Sequence, residues 1–189
     1  MARVGVLALQ GDFELHAQAL ERAGADAVMV RTAAELDGLP ALVIPGGEST
    51  TMLRLIEYKQ LWEPLVKYGA THPVFGTCAG AILAASKVLN PVQASLGLVD
   101  MTIERNAYGR QVDSRIVKIT DHLLGGDAEL EVVLIRAPIV RHVGVGGRVL
   151  ASYNGDPVLV DYGRHLMATF HPEATGDARV HKWFLGRVQ

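Results

Sequence analysis

The strongest constraint on the fold is the alternation of short apolar runs with helical segments in the first half of the chain. Apolar runs at Arg3–Leu9, Ala27–Val30, Ala41–Ile44 and Pro73–Phe75 have the length and composition of buried strands. An amphipathic segment, Asp12–Ala23, has the spacing of a helix and separates the first two runs, with Asp12 as its expected cap and Gly24 as its expected left-handed stop. Alternation of this kind predicts βαβ units, and therefore a mainly parallel sheet with helices on both faces.

The second half changes character, because strand-like runs follow one another without long helices between them. These runs are Met101–Arg105, Arg115–Ile119, Glu131–Arg136, Arg148–Tyr153, Pro157–Tyr162 and His165–Phe170. Turn sequences at Asn154–Asp156 and Gly163–Arg164 join the last three as hairpins. Further helices are predicted from Ser49 or Thr50, over Ala79–Ser86 and over Asp177–Val188. We therefore predict an α/β fold in which antiparallel strands extend a mostly parallel, three-layer core, with residues 1–189 forming one domain.

The composition excludes several classes of function before any motif is considered. The 189 residues are 49% hydrophobic, enough for a sizeable core, and carry a formal net charge of −2. Without excess positive charge, binding to nucleic acid or to an anionic membrane is disfavoured. The apolar runs are far shorter than the roughly 18 residues of a membrane-spanning helix, and the N-terminus does not resemble a secretory signal. We therefore expect a cytoplasmic protein that binds neither nucleic acid nor membrane.

The single cysteine, Cys78, rules out an intrachain disulfide and leaves two roles, inert packing or a reactive thiol. It lies in the sequence Gly76-Thr77-Cys78-Ala79-Gly80, between a predicted strand and a predicted helix. A nucleophile on such a tight turn requires small residues two positions before and after it. The helix N-terminus would also favour the thiolate over the thiol. The flanking glycines therefore favour the reactive role.

A catalytic thiolate needs a base that later acts as an acid, and the base needs an orienting partner. We expect that His16, His122 and His181 are solvated, that His72 and His165 are turn residues, and we leave His142 undecided. His171 differs, because it ends the last strand-like run in the sequence Phe170-His171-Pro172-Glu173. Pro172 favours an extended backbone at His171, and Glu173 is close enough to bind one imidazole nitrogen.

A glycine pair follows the third predicted strand, in Pro45-Gly46-Gly47-Glu48-Ser49. Backbone N–H groups in such a turn could stabilise a developing oxyanion. The alternative is a plain strand-to-helix turn, which glycines often form. A phosphate-binding loop is disfavoured, because neither G-x-x-x-x-G-K-[ST] nor G-x-G-x-x-G is present.

Together, these three motifs resemble those of the class I, or triad, glutamine amidotransferases, which have a flavodoxin-like fold. The similarity is closer to the glutaminase subunits of pyridoxal 5′-phosphate synthase. Further matching stretches are Leu7–Gly11, Gly46–Thr51, Glu104–Asn106, Tyr108–Ser114 and Ile135–Pro138. The third and fourth of these separate this subfamily from other amidotransferases.

The resemblance implies a role for individual residues of this chain. The triad would be Cys78, His171 and Glu173, and the oxyanion hole would use the backbone N–H groups of Gly47 and Ala79. The implied glutamine-binding residues are Gly47, Glu48, Ser49, Arg105, Ile135 and Arg136. A guanidinium suits the α-carboxylate of a zwitterionic substrate, whereas Arg136 could contribute either its side chain or its main chain. The resemblance implies no metal and no cofactor in this chain.

The resemblance also implies partners. Besides L-glutamine, the chain would bind a (β/α)₈-barrel synthase subunit in a large hetero-oligomer and deliver ammonia to it for vitamin B6 synthesis. It would have low activity alone, since the oxyanion hole of the family often forms only when the partner docks. Two other functions are considered: an amidotransferase for a nucleotide or chorismate-derived acceptor, and a noncatalytic domain whose cysteine serves as a redox sensor or chaperone site.

Overall fold

The structure, a computed structural model, describes residues 1–107, 114–126 and 129–188. Within these ranges the strands are β1 (Arg3–Leu7), β2 (Asp26–Val30), β3 (Leu42–Ile44), β4 (Val74–Thr77), β5 (Ala85–Leu89), β6 (Val99–Glu104), β7 (Arg115–Ile119), β8 (Leu130–Leu134), β9 (Ile139–Val143), β10 (Arg148–Tyr153), β11 (Asp156–Tyr162) and β12 (His165–Ala168). The helices are α1 (Phe13–Ala23), α2 (Ser49–Tyr58), α3 (Trp62–Thr71), α4 (Ala79–Ala84) and α5 (Arg179–Leu185). Short 3₁₀ turns occupy Ala33–Leu36 and Pro172–Ala174.

The main sheet has the strand order β10-β11-β12-β4-β3-β1-β2 in the described part of the chain. Its five strands from β12 to β2 are parallel, in the order of a doubly wound, flavodoxin-like sheet. The strands β10 and β11 extend it in antiparallel fashion from β12. The predicted α/β class, with a mostly parallel sheet and an antiparallel extension, is confirmed.

Helices cover both faces of this sheet, because alternate residues of a strand point to opposite sides. Val43 of β3 packs in the cluster that contains Phe184 of α5 and residues of α1. The next residue, Ile44, packs in a second cluster with Met52 of α2 and Leu65 of α3. The parallel strands are thus buried on both sides, which explains why their sequences are continuously apolar rather than alternating.

The second half differs in detail from the prediction. The helix expected over Ala79–Ser86 ends at Ala84, and β5 begins at the next residue and pairs with β6. Together with β9, these strands form a separate sheet, and β7 and β8 pair with each other. The local sequence is compatible with a helix, but the strand pairing of β5 with β6 overrides that preference.

The predicted turns at Gly24 and at Asn154–Gly155 are confirmed. Gly24 ends α1 in the left-handed conformation, with φ of 95°. Asn154 and Gly155, with φ of 51° and 86°, form the tight hairpin between β10 and β11. Asp12 occupies the N-cap position of α1, but its side chain makes no capping bond. In the described residues, no helix combines the length and the hydropathy needed to cross a membrane.

Candidate active site

The carboxyl ends of the parallel strands β1, β3, β4 and β12 surround a cavity of about 450 Å³. This is the edge of a doubly wound sheet where ligands generally bind. The residues that line it are Gln10, Asp12, Gly47, Glu48, Ser49, Cys78, Ile82, Arg105, Asn106, Ile135, Arg136, Pro138 and His171. Apart from Ala79 and Glu173, every residue predicted to belong to the site therefore lines one cavity.

Cys78 lies on a strained turn between β4 and α4, with φ of 48° and ψ of −105°. Two close backbone approaches hold this turn. A Cβ atom on Gly76 would lie 2.8 Å from the carbonyl oxygen of Gly80, and one on Gly80 would overlap the carbonyl oxygen of Ile44. The two glycines are therefore needed for packing, as the turn sequence predicts, and Cys78 is left 8% exposed at the cavity.

His171 follows β12 and binds Glu173 directly. Its Nδ1 lies 2.7 Å from Glu173 Oε1, and both side chains are nearly inaccessible to solvent. Pro172 begins the 3₁₀ turn that brings Glu173 back under the ring. Since Nδ1 binds the carboxylate, Nε2 is the ring nitrogen available to other groups.

His171 and Cys78 form an electrostatic pair. Burial opposes a positive charge on the imidazole, but the neighbouring Cys78 and the hydrogen bond to Glu173 outweigh this effect. Together they raise the pKa of His171 to about 10. A Cβ atom on Gly46 would lie 2.5 Å from Cε1 of His171 and 3.4 Å from Cβ of Cys78, so the glycine turn lies against both side chains. The arrangement favours an imidazolium beside the sulfur.

The glycine turn is itself held by β1 and the residues after it. The backbone N–H of Asp12 donates to the carbonyl of Gly46 over 3.1 Å, and Gln10 Oε1 accepts from the backbone N–H of Glu48 over 2.9 Å. Gly47 has φ of 153°, and a Cβ atom there would overlap Gln10 Oε1. The sequence motifs assign no role to Gln10, although the matching stretch Leu7–Gly11 contains it and could have indicated it.

Ala79 and Gly47 are the two residues predicted to donate backbone N–H groups to an oxyanion. Ala79 is the first residue of α4, where backbone N–H groups have no acceptor within the helix. Gly47 lines the cavity together with Cys78. One predicted donor thus lines the cavity of Cys78, and the other follows Cys78 in the chain.

Glu48 caps α2 and carries a stable negative charge. Its carboxylate accepts from the backbone N–H of Thr50 over 3.0 Å and from that of Thr51 over 2.7 Å. Partial burial opposes the charge, but these bonds and those from the threonine hydroxyls outweigh it and lower the pKa of Glu48 to about 2. Glu48 is therefore ionised at any physiological pH.

Arg105 follows β6, and its side chain contacts residues at the start of α2. Its Nη2 lies 3.5 Å from Glu48 Oε1 and donates to Thr50 Oγ1 over 3.1 Å, while Nη1 donates to Gln93 Oε1. The same Gln93 oxygen accepts from the Ser49 hydroxyl over 3.3 Å. These bonds orient the guanidinium beside the cavity; Gln93 is a supporting residue that no motif indicates.

Ile135 and Arg136 follow β8 and line the cavity with exposed side chains. Arg136 has the left-handed backbone conformation, with φ of 42°. Asn106 also lines the cavity, next to Arg105. Of the resembling segment Tyr108–Ser114, only Ser114 is among the described residues, and 108–113 lie outside them.

One cluster in the site could in principle attract a metal ion. Asp12, His171 and Glu173 offer ligand atoms within 4.8 Å of one another, and Asp12 Oδ2 lies 3.5 Å from His171 Nδ1. That nitrogen is already bound to Glu173 Oε1, so a metal would have to replace the hydrogen bond. The donor set therefore favours hydrogen bonding over metal coordination.

Comparison with known proteins identifies the family of the chain. A family model described as the SNO glutamine amidotransferase family matches residues 6–189. The chain belongs to this family. As an SNO amidotransferase it is 56% identical, over 192 residues and 100% of both chains, to the pyridoxal 5′-phosphate synthase subunit PdxT of Solibacter usitatus (strain Ellin6076).

Two solved structures are similar in fold to this SNO amidotransferase. A crystal structure of a glutamine amidotransferase is similar with a TM-score of 0.89 and 44% identity, covering 98% of each chain. The structure of PurLQS from Thermotoga maritima is similar with a TM-score of 0.73, covering 100% of this chain and 99% of that one. At 15% identity, the second similarity concerns the fold alone.

Proposed function

We propose that this chain is the glutaminase subunit of a pyridoxal 5′-phosphate synthase, hydrolysing L-glutamine to L-glutamate and ammonia for vitamin B6 synthesis. The observation that carries the proposal is that Cys78, on its strained turn, lines one cavity with a histidine whose Nδ1 binds a buried glutamate. Full-length similarity to a PdxT subunit supports it. Residues 1–189 would act as one glutaminase domain.

In the first half-reaction, the Cys78 thiolate attacks the side-chain amide carbon of glutamine. The carbon–sulfur bond forms and the carbonyl electrons move to oxygen, where the N–H groups of Gly47 and Ala79 stabilise the negative charge. Each such donor contributes about 3–4 kcal/mol in other enzymes. His171, an imidazolium because its pKa is raised to about 10, then protonates the nitrogen. The carbon–nitrogen bond breaks, ammonia departs, and a γ-glutamyl thioester remains on Cys78.

In the second half-reaction, neutral His171 takes a proton from water. The water oxygen attacks the thioester carbon, and collapse of the tetrahedral intermediate breaks the carbon–sulfur bond. This releases glutamate and restores the thiolate–imidazolium pair. Glu173 keeps the imidazole oriented through both steps, so protein groups and water complete the reaction without a cofactor in this chain.

Substrate binding would use the charges at the mouth of the cavity. Arg105 would pair with the α-carboxylate of glutamine, for which a guanidinium offers two parallel N–H donors. Glu48, held ionised by its capping bonds, is the acidic group available for the α-ammonium. Ser49, Ile135 and Arg136 would form the rest of the binding wall. A zwitterionic ligand suits this pair of opposite charges better than a singly charged one.

The ammonia would pass to a (β/α)₈-barrel synthase subunit in a large hetero-oligomer. In bulk water near neutral pH, ammonia becomes ammonium and loses its nucleophilicity, so direct transfer between subunits preserves it. We expect low glutaminase activity for the chain alone and stimulation when the synthase docks. The cytoplasmic location stays a prediction from the sequence.

The proposal is tested by measuring glutamate release by the full chain with and without the synthase subunit. Activity with the synthase should be lost in Cys78→Ala and in His171→Asn. His142→Asn changes an exposed histidine of β9, outside the cavity, and should keep the wild-type rate. Full activity in Cys78→Ala would refute the triad, and equal rates with and without synthase would refute activation.

The partner separates this proposal from an amidotransferase with another acceptor. A pull-down with the full chain should recover the synthase, and recovery of a nucleotide-modifying subunit instead would contradict the proposed pathway. Labelling of Cys78 by a glutamine-mimicking electrophile, with protection by glutamine, separates it from a redox or chaperone role. Labelling that glutamine does not prevent would argue against a glutamine site.

A further inference from the structure

The second carboxylate oxygen of Glu173 has an unusual environment. Oε1 binds His171, but Oε2 is buried and forms no hydrogen bond of good geometry with the described residues. Its polar neighbour is Nε2 of His16, at 3.3 Å. A buried carboxylate oxygen needs a donor to offset the loss of hydration. His16, on the buried face of α1, is placed to provide it.

His16 belongs to a chain of buried polar contacts behind the triad. Its Nε2 lies 2.9 Å from Thr77 Oγ1, one residue before Cys78. Its Nδ1 lies 3.1 Å from Nε2 of His181, on α5. His16, Thr77 and His181 are all fully buried or nearly so. The expectation that His16 and His181 are solvated is therefore wrong.

The contacts select one tautomer for each histidine. A carboxylate only accepts hydrogen bonds, so Glu173 Oε2 at 3.3 Å favours a proton on His16 Nε2, and Thr77 Oγ1 at 2.9 Å can accept that proton as well. His16 Nδ1 is then a lone pair, which accepts the Nε2 proton of His181. This leaves a bare lone pair on His181 Nδ1, the atom that has no partner among the described residues. In the reverse assignment the Thr77 hydroxyl could donate to His16 Nε2, but an unpaired N–H would be buried on His181 and a lone pair would lie beside the Glu173 carboxylate, and both are costly.

His16 is also kept neutral. Burial, followed by the neighbouring His181 and His171, lowers the pKa of His16 well below its ordinary value. A neutral donor stabilises the carboxylate without adding a second positive charge beside the His171 imidazolium. His16 therefore supports the ion pair of His171 and Glu173 rather than competing with it.

We propose that His16 is a positioning residue of the glutaminase: its Nε2–H, which lies between Thr77 Oγ1 and Glu173 Oε2, stabilises the carboxylate that orients His171. His181 fixes the tautomer of His16 by donating to Nδ1. This inference rests on the proposed function. His16 does not line the cavity, so its effect should fall on the chemical step and not on glutamine binding.

The kinetic test compares His16→Leu with His16→Gln, in the full chain assayed with the synthase. Leucine removes the donor, and kcat should fall roughly 10–100-fold, the range seen when comparable supporting bonds are removed, with KM within about twofold of wild type. Glutamine Nε2 can replace histidine Nε2, so His16→Gln should regain most of kcat. The matched control is His165→Asn, because His165 is also buried but lies at the opposite end of β12, where its Nδ1 accepts from Val74.

A wild-type kcat in folded His16→Leu would overturn the proposal, as would a fall in His16→Gln as deep as in His16→Leu. A second measurement is independent of activity and of whether the leucine variant folds. Nitrogen-15 NMR of the imidazoles in the wild-type chain should show His16 as the neutral Nε2–H tautomer between pH 6 and 8. An Nδ1–H tautomer or an imidazolium would refute the inference. A wild-type chain that has this tautomer but no glutaminase activity in the presence of the synthase would instead refute the proposed function.

Discussion

Lowering the pH from 6.5 to 5 should destabilise the fold through its buried histidines. Burial lowers the pKa of both His165 and His181 to about 4, from an ordinary value of 6.5. The nearby positive charges of Arg164 and Arg22 act in the same direction. His16 is shifted the same way. All three rings are therefore neutral in the folded chain over most of this pH range.

The sign follows from proton uptake on unfolding. Below pH 6.5 the unfolded imidazoles bind protons that the folded ones do not, so stability falls as the pH falls towards the folded pKa. Each of His165 and His181 should cost about 1–2 kcal/mol between pH 6.5 and 5, or about 3 kcal/mol for the pair. His171 hardly offsets this loss, because its raised pKa leaves it protonated when folded and its unfolded form is also mostly protonated in this range.

The assay is urea denaturation followed by circular dichroism at pH 6.5, 6.0, 5.5 and 5.0. The free energy of unfolding should change less steeply with pH in His181→Gln than in wild type, because one buried histidine fewer takes up a proton on unfolding. His142→Gln, at an exposed position of β9, is the control and should keep the wild-type slope. A stability that stays constant from pH 6.5 to 5, or an unchanged slope in His181→Gln, would show that the reasoning is wrong.

Three further measurements test other parts of the site. Between pH 7 and 9 the stability should fall as the pH rises, because folded His171, with its raised pKa, keeps a proton that the unfolded chain loses. In urea denaturation, the free energy of unfolding of His171→Asn should depend less on pH over this range. Gly80→Ala should lower the free energy of unfolding by about 3 kcal/mol or more, because the added Cβ would overlap a backbone carbonyl oxygen. In the control Gly176→Ala, the added Cβ meets nothing within 4 Å, so the free energy of unfolding should change by less than about 0.5 kcal/mol. Arg105→Lys should raise KM for glutamine about tenfold or more with little change in kcat, because lysine cannot form a bidentate pair; an unchanged KM would remove Arg105 from the binding site.

The local parts of the site could be predicted because each depends on neighbours in the sequence. The strained turn at Cys78 needs two glycines within two residues, and the bond between His171 and Glu173 spans two residues. Steric and hydrogen-bonding rules act over such distances, so a short motif contains the relevant information.

The parts that were missed depend on contacts between distant residues. His16 and His181 are 165 positions apart and meet only because α1 and α5 pack on the same face of the sheet. Asp12 has the sequence of a helix cap, yet its carboxylate lies near His171 instead. The strand β5 follows a helix in a stretch whose composition suits a helix throughout, and only its pairing with β6 shows otherwise. Local patterns do not encode such partners.

The meeting of Cys78 and His171 likewise depends on topology and not on either motif. β12 pairs with β4 in parallel, with Ala168 opposite Thr77, and the backbone N–H of Cys78 donates to the carbonyl of Ala168 over 2.8 Å. Because parallel strands end at the same edge, the residues that follow them emerge side by side. If β12 paired elsewhere in the sheet, the same His171 and Glu173 would form an ordinary buried hydrogen bond. The adjacency of these two strands is therefore what turns two separate sequence motifs into one candidate active site.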